Sequence, residues 1–404
     1  MNGASDGRVR EGTAAEVFGV FLKLGATSFG GPIAHLGYFR AEIVQRRAWL
    51  DDASYADLVA LCQFLPGPAS SQVGFGIGLH RAGLRGALAA FVAFTLPSAA
   101  LMTAFAFGAS LFAGTIGSGL LMGLKLVAVA VIAQAVLSMA RTLAPDPIRA
   151  TIAALAAAAA LLLPGSFGQL AAITVGALAG WMLCRTTGGD GSSSLHLRIP
   201  RRLGIVSLAL FALALLGLPV VAGVSGWSGV AFVDAFFRSG SLVFGGGHVV
   251  LPLLHSAVVD TGWVSEADFL AGYGAAQAMP GPLFTFAAFL GALSPTGPGG
   301  VLGAVVALLS IFLPGFLLLL GVLPFWETLR SRPRAQAMMR GANAAVVGVL
   351  AAALYSPVFT SAVTGPAEFC LALVCFVLLI AWRTPPWVAV IVGAVGGVLI
   401  AVAG

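Results

Sequence analysis

Charge is what this chain has least of. Only 9% of its 404 residues are Asp, Glu, Lys or Arg, while 59% are hydrophobic; a soluble domain carries about 25% charged residues. An ordinary wetted surface is therefore excluded. Residues 86–124, 150–184, 203–233, 269–326, 341–367 and 384–404 hold no charge at all. A helix needs about 20 apolar residues to cross ~30 Å of hydrocarbon, so these stretches suffice for about eight or nine crossings. They do not alternate as barrel strands do. The expected fold class is an all-α polytopic membrane protein in a lipid bilayer.

Other absences narrow the function. The four cysteines (Cys62, Cys184, Cys370, Cys375) lie in apolar runs without a CxxC spacing, which argues for buried reduced thiols and against zinc or disulfides. No Ser-His-Asp, HExxH or paired-carboxylate spacing occurs, so an enzyme is disfavoured and neither cofactor nor metal is expected. Val243–His248 is glycine-rich but lacks the strand, Lys-Ser/Thr and βαβ context of a phosphate loop. The net charge of +6 is explained by basic loops on one side of a bilayer, with no nucleic acid implied. Residues 1–12 are polar, include Arg8 and Arg10, and lack the apolar core of a secretory signal. They are expected to form a cytoplasmic tail.

What is present repeats. Phe21–Gly31 returns as Phe236–Gly246, 215 residues later, so Lys23 matches Arg238 and Phe29-Gly30-Gly31 matches Phe244-Gly245-Gly246. Trp49 matches Trp263, Gln63 matches Gln277, and Pro66-Gly67-Pro68 matches Pro280-Gly281-Pro282. Leu96-Pro97 and Lys125 find counterparts in Leu313-Pro314 and Arg340. The chain divides into a first repeat (13–184), a Gly/Ser-rich cytoplasmic linker (185–202), a connecting span (203–223) and a second repeat (224–404). Loop charges then decide orientation. Arg40, Arg46, Arg47, Arg81, Arg85, Arg141 and Arg149 mark loops of the first repeat, yet the matching loops near 255–262, 293–300 and 356–366 contain no Lys or Arg. An inverted-topology repeat is expected, a common plan for secondary transporters.

Glycine and proline break both repeats inside apolar sequence. The arms 13–28/32–47 and 54–65/68–80, and their counterparts 232–244/247–259 and 266–279/282–294, are each too short to cross alone. They are expected to form re-entrant hairpins. Glycine at the tips (Gly30, Gly31, Gly67, Gly245, Gly246, Gly281) allows positive φ and close backbone approach. Proline suits the start of the helix that follows. The orphan amides and positive dipole end of such a helix form an anion site. Thr27, Ser28, Ser70, Ser71, Ser241 and Thr285 add hydroxyls, and Gln63 and Gln277 add amides, as candidate substrate-binding groups. Lys23 and Arg238 have two readings: they supply positive field to the cavity, or they snorkel to the interface. Asp51 and Ser265 are expected as helix caps, and Glu42 with Arg46 as a local pair.

At these motifs the chain resembles the chromate ion transporter family in its long, two-domain form. The resemblance rests on Ser28-Phe-Gly-Gly-Pro-Ile-Ala-His35, Leu61-Cys-Gln-Phe-Leu-Pro-Gly-Pro68 and Phe94-Thr-Leu-Pro97. Its second-half forms are Phe244-Gly-Gly-Gly-His-Val-Val-Leu-Pro252, Ala276-Gln-Ala-Met-Pro-Gly-Pro282 and Phe312-Leu-Pro314. It covers nearly the whole chain apart from the first dozen residues and the linker. The halves differ at the first tip, Pro32 against Gly247. The resemblance implies multi-pass residence in the inner membrane, chromate efflux and resistance, competition by sulfate, and drive from the proton-motive force. A homodimer is compatible with it. The rival readings are uptake or exchange of sulfate or another oxyanion, and a membrane scaffold or sensor that transports nothing.

Overall fold

The structure, a computed structural model, describes residues 12–108, 114–163, 165–184, 199–244, 247–330 and 332–403. The polar tail up to residue 11, most of the linker, and the tip glycines Gly245 and Gly246 lie outside the described residues. Helices make up the regular structure, and no strand occurs among the described residues. The chain is an all-α polytopic membrane protein.

The first half opens with α1 (Ala14–Thr27) and α2 (Gly31–Phe39), the latter running into a π-helical stretch, Arg40–Arg46. Next come α3 (Asp52–Phe64) and α4 (Ala69–Gly108), which is broken at Ala82 and Gly83 by non-helical backbone. Then follow α5 (Thr115–Leu143), α6 (Pro147–Leu162) and α7 (Gly165–Leu183). A connecting helix, α8 (Arg201–Ser225), leads to the same order again. In the second half α9 (Ser228–Ser241) precedes a short 3-10 turn and α10 (Val250–Val258). Then come α11 (Glu266–Ala278), α12 (Phe286–Leu293) and α13 (Gly300–Val322). The chain ends with α14 (Trp326–Arg330), α15 (Pro333–Ala353), α16 (Thr360–Ala362), α17 (Pro366–Ile380) and α18 (Pro386–Ala403).

Local chemistry sets the ends. Asp51 caps α3 by accepting the Ser54 amide, and Ser265 caps α11 by accepting that of Asp268. Gly30 ahead of α2 has φ +98, and Gly67 and Gly281 have φ +121 and +95, backbone that L side chains avoid. Pro32 takes the second position of α2, and Pro68 and Pro282 stand just before their helices. Among the described residues the breaks leave six helices long and apolar enough to cross a membrane, with shorter apolar helices between them. This is fewer than the eight or nine spans that charge-free length allows, because breaks such as the one at residues 279–282 divide those stretches. Leu84, Leu88, Val92 and Leu96 form one exposed stripe along α4, the surface that hydrocarbon would cover. Cys370 also faces outward, whereas Cys62 and Cys375 are buried.

Equivalent helices pack in equivalent ways. A Cβ on Gly25 of α1 would lie 2.5 Å from the Phe94 carbonyl of α4, and Gly240 of α9 abuts the Ile311 carbonyl of α13 in the same manner. The halves also exchange partners. In the first half α5 packs on α17 and α18 of the second, while α15 packs on α6 and α7 of the first. Helices α4 and α13 run antiparallel: Phe91 meets Phe312 and Phe316, and a crevice between them holds Phe107 near Val301.

The arms of the first two broken pairs return to a common end. Arg81, at the end of the first piece of α4, pairs with Glu16 of α1 at 3.2 Å and lies over the Trp49 ring with Arg47. Away from that end, Gly281 approaches both Ser28 and the Phe94 carbonyl, roughly 16 Å along the second piece of α4 from Gly83. That is about half the depth of a ~30 Å hydrocarbon core.

Candidate functional site

Reciprocal hydrogen bonds tie the four tips together across the halves. The Gly67 amide donates to the Val243 carbonyl at 2.7 Å, and the Gly281 amide donates to the Ser28 carbonyl at 2.9 Å. Val243 and Ser28 each precede a Phe-Gly-Gly motif, so each Pro-Gly-Pro turn holds the residue that leads into that motif in the opposite half. Gln72 fixes one clasp further, donating to the carbonyls of Pro66 and Gly315. Close approach explains the residue types, since a Cβ on Gly67 would lie 3.0 Å from the Cα of Gly315.

Beside the clasp lies a cavity of ≈ 380 Å³, within the range of small-ligand sites. Gly30, Gly31 and Pro32 form one wall, Gly247 and His248 another, and Gln277 a third; α5 contributes Gln134 and Ser138. The remaining wall is the turn between α17 and α18, with Arg383 and Thr384. The N-terminal cap of α2 makes no side-chain hydrogen bond, which leaves amide donors at the positive end of a helix dipole. The Gln277 Nε2 is buried beside the Tyr273 hydroxyl without a hydrogen bond of full geometry, a costly state for an amide donor unless something else accepts from it. No carboxylate pairs with Arg383 among the described residues. Its backbone is left-handed, φ +53, where glycine is the usual helix terminator. The neighbouring Thr384 amide and hydroxyl close the end of α17 on the Leu378 carbonyl.

The sequence-derived candidates divide. Gly30, Gly31 and Gln277 line the cavity; Ser28, Gly67 and Gly281 form the clasp. Ser70 is buried with its Oγ 3.3 Å from His35 Nδ1, and the buried Ser28 and Ser71 hydroxyls lack partners. Ser241 and Thr285 turn their hydroxyls onto the helix carbonyls of Phe237 and Pro282, as Thr27 does onto that of Lys23. Thr27 and Gln63 are exposed. Lys23 and Arg238 are not brought to the cavity. Lys23 is 3.8 Å from the nearly buried Glu42, which Arg46 and Arg47 also engage. Arg238 pairs with Asp234 at 2.6 Å, beside a different cavity.

Arg383 was out of reach of sequence reasoning, because only the packing of α17 and α18 on α5 brings it to the tips. The Arg238 pairing had a signal, an aspartate four residues earlier.

Interrupted apolar helices arranged around a polar cavity have the build of a multi-pass membrane transporter. The chain belongs to the chromate transporter family, whose model matches residues 15–181 and again residues 230–398. A chromate transport protein of Pseudomonas aeruginosa is 29% identical over 83% of this chain and 79% of its own length. One from Cupriavidus metallidurans is 27% identical over 93% of this chain and 90% of its own. An uncharacterized transporter of Methanocaldococcus jannaschii is 29% identical over 84% and 83%. No solved structure matches the chain.

Proposed function

We propose that this protein exports chromate across the inner membrane, binding the dianion in the tip cavity and drawing on the proton-motive force. The observation that carries the reading is the convergence on one cavity of the uncapped α2 terminus, the buried Gln277 amide and the Arg383 guanidinium, which has no carboxylate partner among the described residues. Those are hydrogen-bond donors, the complement of a tetrahedral oxyanion. The name shared with relatives selects chromate among such ions, and sulfate, of the same shape and charge, is the expected competitor. In this reading the broken pairs are re-entrant hairpins and the second repeat is inverted. The clasped tips form the fixed centre about which the exchanged helix pairs rock.

In this reading the end that carries Arg47 and Arg81 is cytoplasmic by the positive-inside rule, with the N-terminus on that side. A potential negative inside favours anion exit by ~2.3 kcal/mol per charge per 100 mV. The protein acts as a transporter and no enzyme, and a homodimer is compatible with the exposed outer face of α8. Lys23 and Arg238, held by their carboxylates, act on the anion only through long-range field.

The test is flux of chromate and sulfate in proteoliposomes. Chromate exchange that sulfate inhibits, and that Arg383→Ala weakens about tenfold or more, supports the proposal. Absence of flux of either ion under any gradient would return the chain to the scaffold reading. Movement of sulfate alone would reassign the substrate.

A further inference from the structure

A second cavity, of ≈ 270 Å³, lies toward the opposite end of the molecule. Helix α6 starts where α5 finishes, beside the tip cavity; its far end, with Gln169 of α7, borders the second one. The two cavities are counterparts, because Val349 and Ala353 of α15 occupy in one the positions that Gln134 and Ser138 of α5 hold in the other. Their chemistry differs. The tip cavity has an arginine; among the described residues, no Lys or Arg lines the second, which has His255 and Asp260 instead.

His255 is held between two carboxylates. Its Nε2 is 2.6 Å from Glu266 Oε2, and its Nδ1 is 3.3 Å from Asp260 Oδ1. A neutral imidazole has one N–H and one lone pair, so it can donate to only one of them. The other nitrogen then turns a lone pair toward a carboxylate oxygen. One added proton makes both nitrogens donors and lowers the charge of the cluster from two negatives to one. Among the described residues the surrounding groups bring no compensating cation: Phe269 lies edge-on to the imidazole at 5.3 Å, and Ser361 Oγ is 3.4 Å from Glu266 Oε1. The cluster therefore has the geometry of a proton acceptor open to the end opposite the anion cavity.

A single helix links the two. Glu266 is the first residue of α11, and Gln277, which lines the tip cavity, stands near its last turn. Beyond it the chain enters the Gly281 clasp. A change in the hold on Glu266 is delivered along a rigid rod of roughly 16 Å to an amide that faces the anion.

We propose that His255, with Glu266 and Asp260, is the proton-binding site through which a pH gradient drives this transporter. The proposal rests on the chromate-transport reading above. Proton and dianion are then loaded from opposite ends, as exchange of one for the other requires.

The experiment uses full-length wild type, His255→Gln and Glu266→Gln in proteoliposomes. Chromate–chromate exchange without any gradient is compared with net chromate flux driven by an imposed pH gradient at zero potential, and an internal pH dye follows the protons. The expected result is gradient-driven flux and its proton signal reduced about tenfold or more in both variants, with exchange retained. Retained exchange also reports that each variant is folded, and Glu266→Gln is a near-isosteric alternative if His255→Gln fails to assemble. Gradient-driven flux at the wild-type level in either assembled variant overturns the proton site and leaves transport standing. So does a wild type that exchanges chromate yet ignores the pH gradient. A wild type that exchanges no chromate sinks the transport reading itself.

Discussion

The amide of Gly281 donates to the carbonyl of Ser28 at 2.9 Å across the boundary between the two halves. With the matching bond from Gly67 to Val243 it makes a closed figure: neither glycine tip can shift without dragging the turn of the other half. Small residues make this possible, since Gly67 approaches Gly315 and Gly281 approaches Ser98. In lipid, where apolar burial gives helices little reason to associate, such close backbone contact and inter-helix hydrogen bonding are what hold a bundle together.

Alanine at the clasp glycines should therefore damage the protein unequally. At Gly281 the new Cβ would meet the Ser98 hydroxyl at 2.8 Å, and a side chain can turn aside. At Gly67 it would meet the Gly315 backbone at 3.0 Å, which cannot. Both replacements also incur about 1–2 kcal/mol for a left-handed L residue. Gly226→Ala is the control, with left-handed backbone (φ +64, ψ +8) but open space around it. Thermal unfolding of purified protein should rank the damage Gly67→Ala above Gly281→Ala above Gly226→Ala. Equal losses at all three would mean that backbone strain alone matters and that the clasp contacts do not.

Arg383 should show a conflict between stability and function. Glycine relieves its left-handed backbone by about 1–2 kcal/mol, so Arg383→Gly should unfold at a higher temperature than wild type. The same change removes a charge-assisted donor worth about 1.5–3 kcal/mol, so chromate affinity should fall about tenfold to a hundredfold. Arg383→Lys should keep part of the affinity, as a point charge without the fork of guanidinium donors. An affinity unchanged in Arg383→Gly would remove this residue from the site.

Lys23 and Arg238 offer the contrary expectation. Each already has a carboxylate partner, Glu42 or Asp234, so Lys23→Ala and Arg238→Ala should change chromate affinity by less than about threefold, the scale of a screened charge. Glu42→Ala should be worse for folding than Lys23→Ala. It leaves Lys23, Arg46 and Arg47 clustered without their shared, nearly buried anion. A tenfold loss of affinity in Lys23→Ala at wild-type stability would bring Lys23 back as a direct ligand.

Much of this molecule can be read from residue types, for a physical reason. Positive φ at Gly30, Gly67 and Gly281 and the prolines that follow are local requirements, so the breaks and their duplication are visible before any packing is known. Caps at Asp51 and Ser265 are equally local. The exchange of helix pairs is not local, and neither is its consequence, the delivery of Arg383 to the tips of a segment some 350 residues earlier. Hydrophobic neighbours along the chain do not fix the surroundings of Lys23. The structure sets it among exposed residues beside a carboxylate that arrives through the π-helical stretch after α2. Its extra residue per turn, with the Arg47 amide bonded to the Glu42 carbonyl, has no signature in composition.

Gln277 allows the sharpest separation of binding from folding. Its Nε2 is buried beside the Tyr273 hydroxyl without a hydrogen bond of full geometry, and an unsatisfied buried donor costs about 1–3 kcal/mol. Leucine at this position would remove the penalty while keeping a side chain of similar length, so Gln277→Leu should be at least as stable as wild type. If the amide waits for an oxyanion, the same variant should bind chromate about tenfold more weakly. Added chromate should then raise its unfolding temperature less than it raises that of wild type, because ligand stabilisation follows the logarithm of concentration over Kd. A structural role predicts the reverse pair of results: lower stability without ligand, and an unchanged increment with it. The two measurements come from one titration, and only the combination of retained stability with a lost increment assigns the Gln277 amide to the anion.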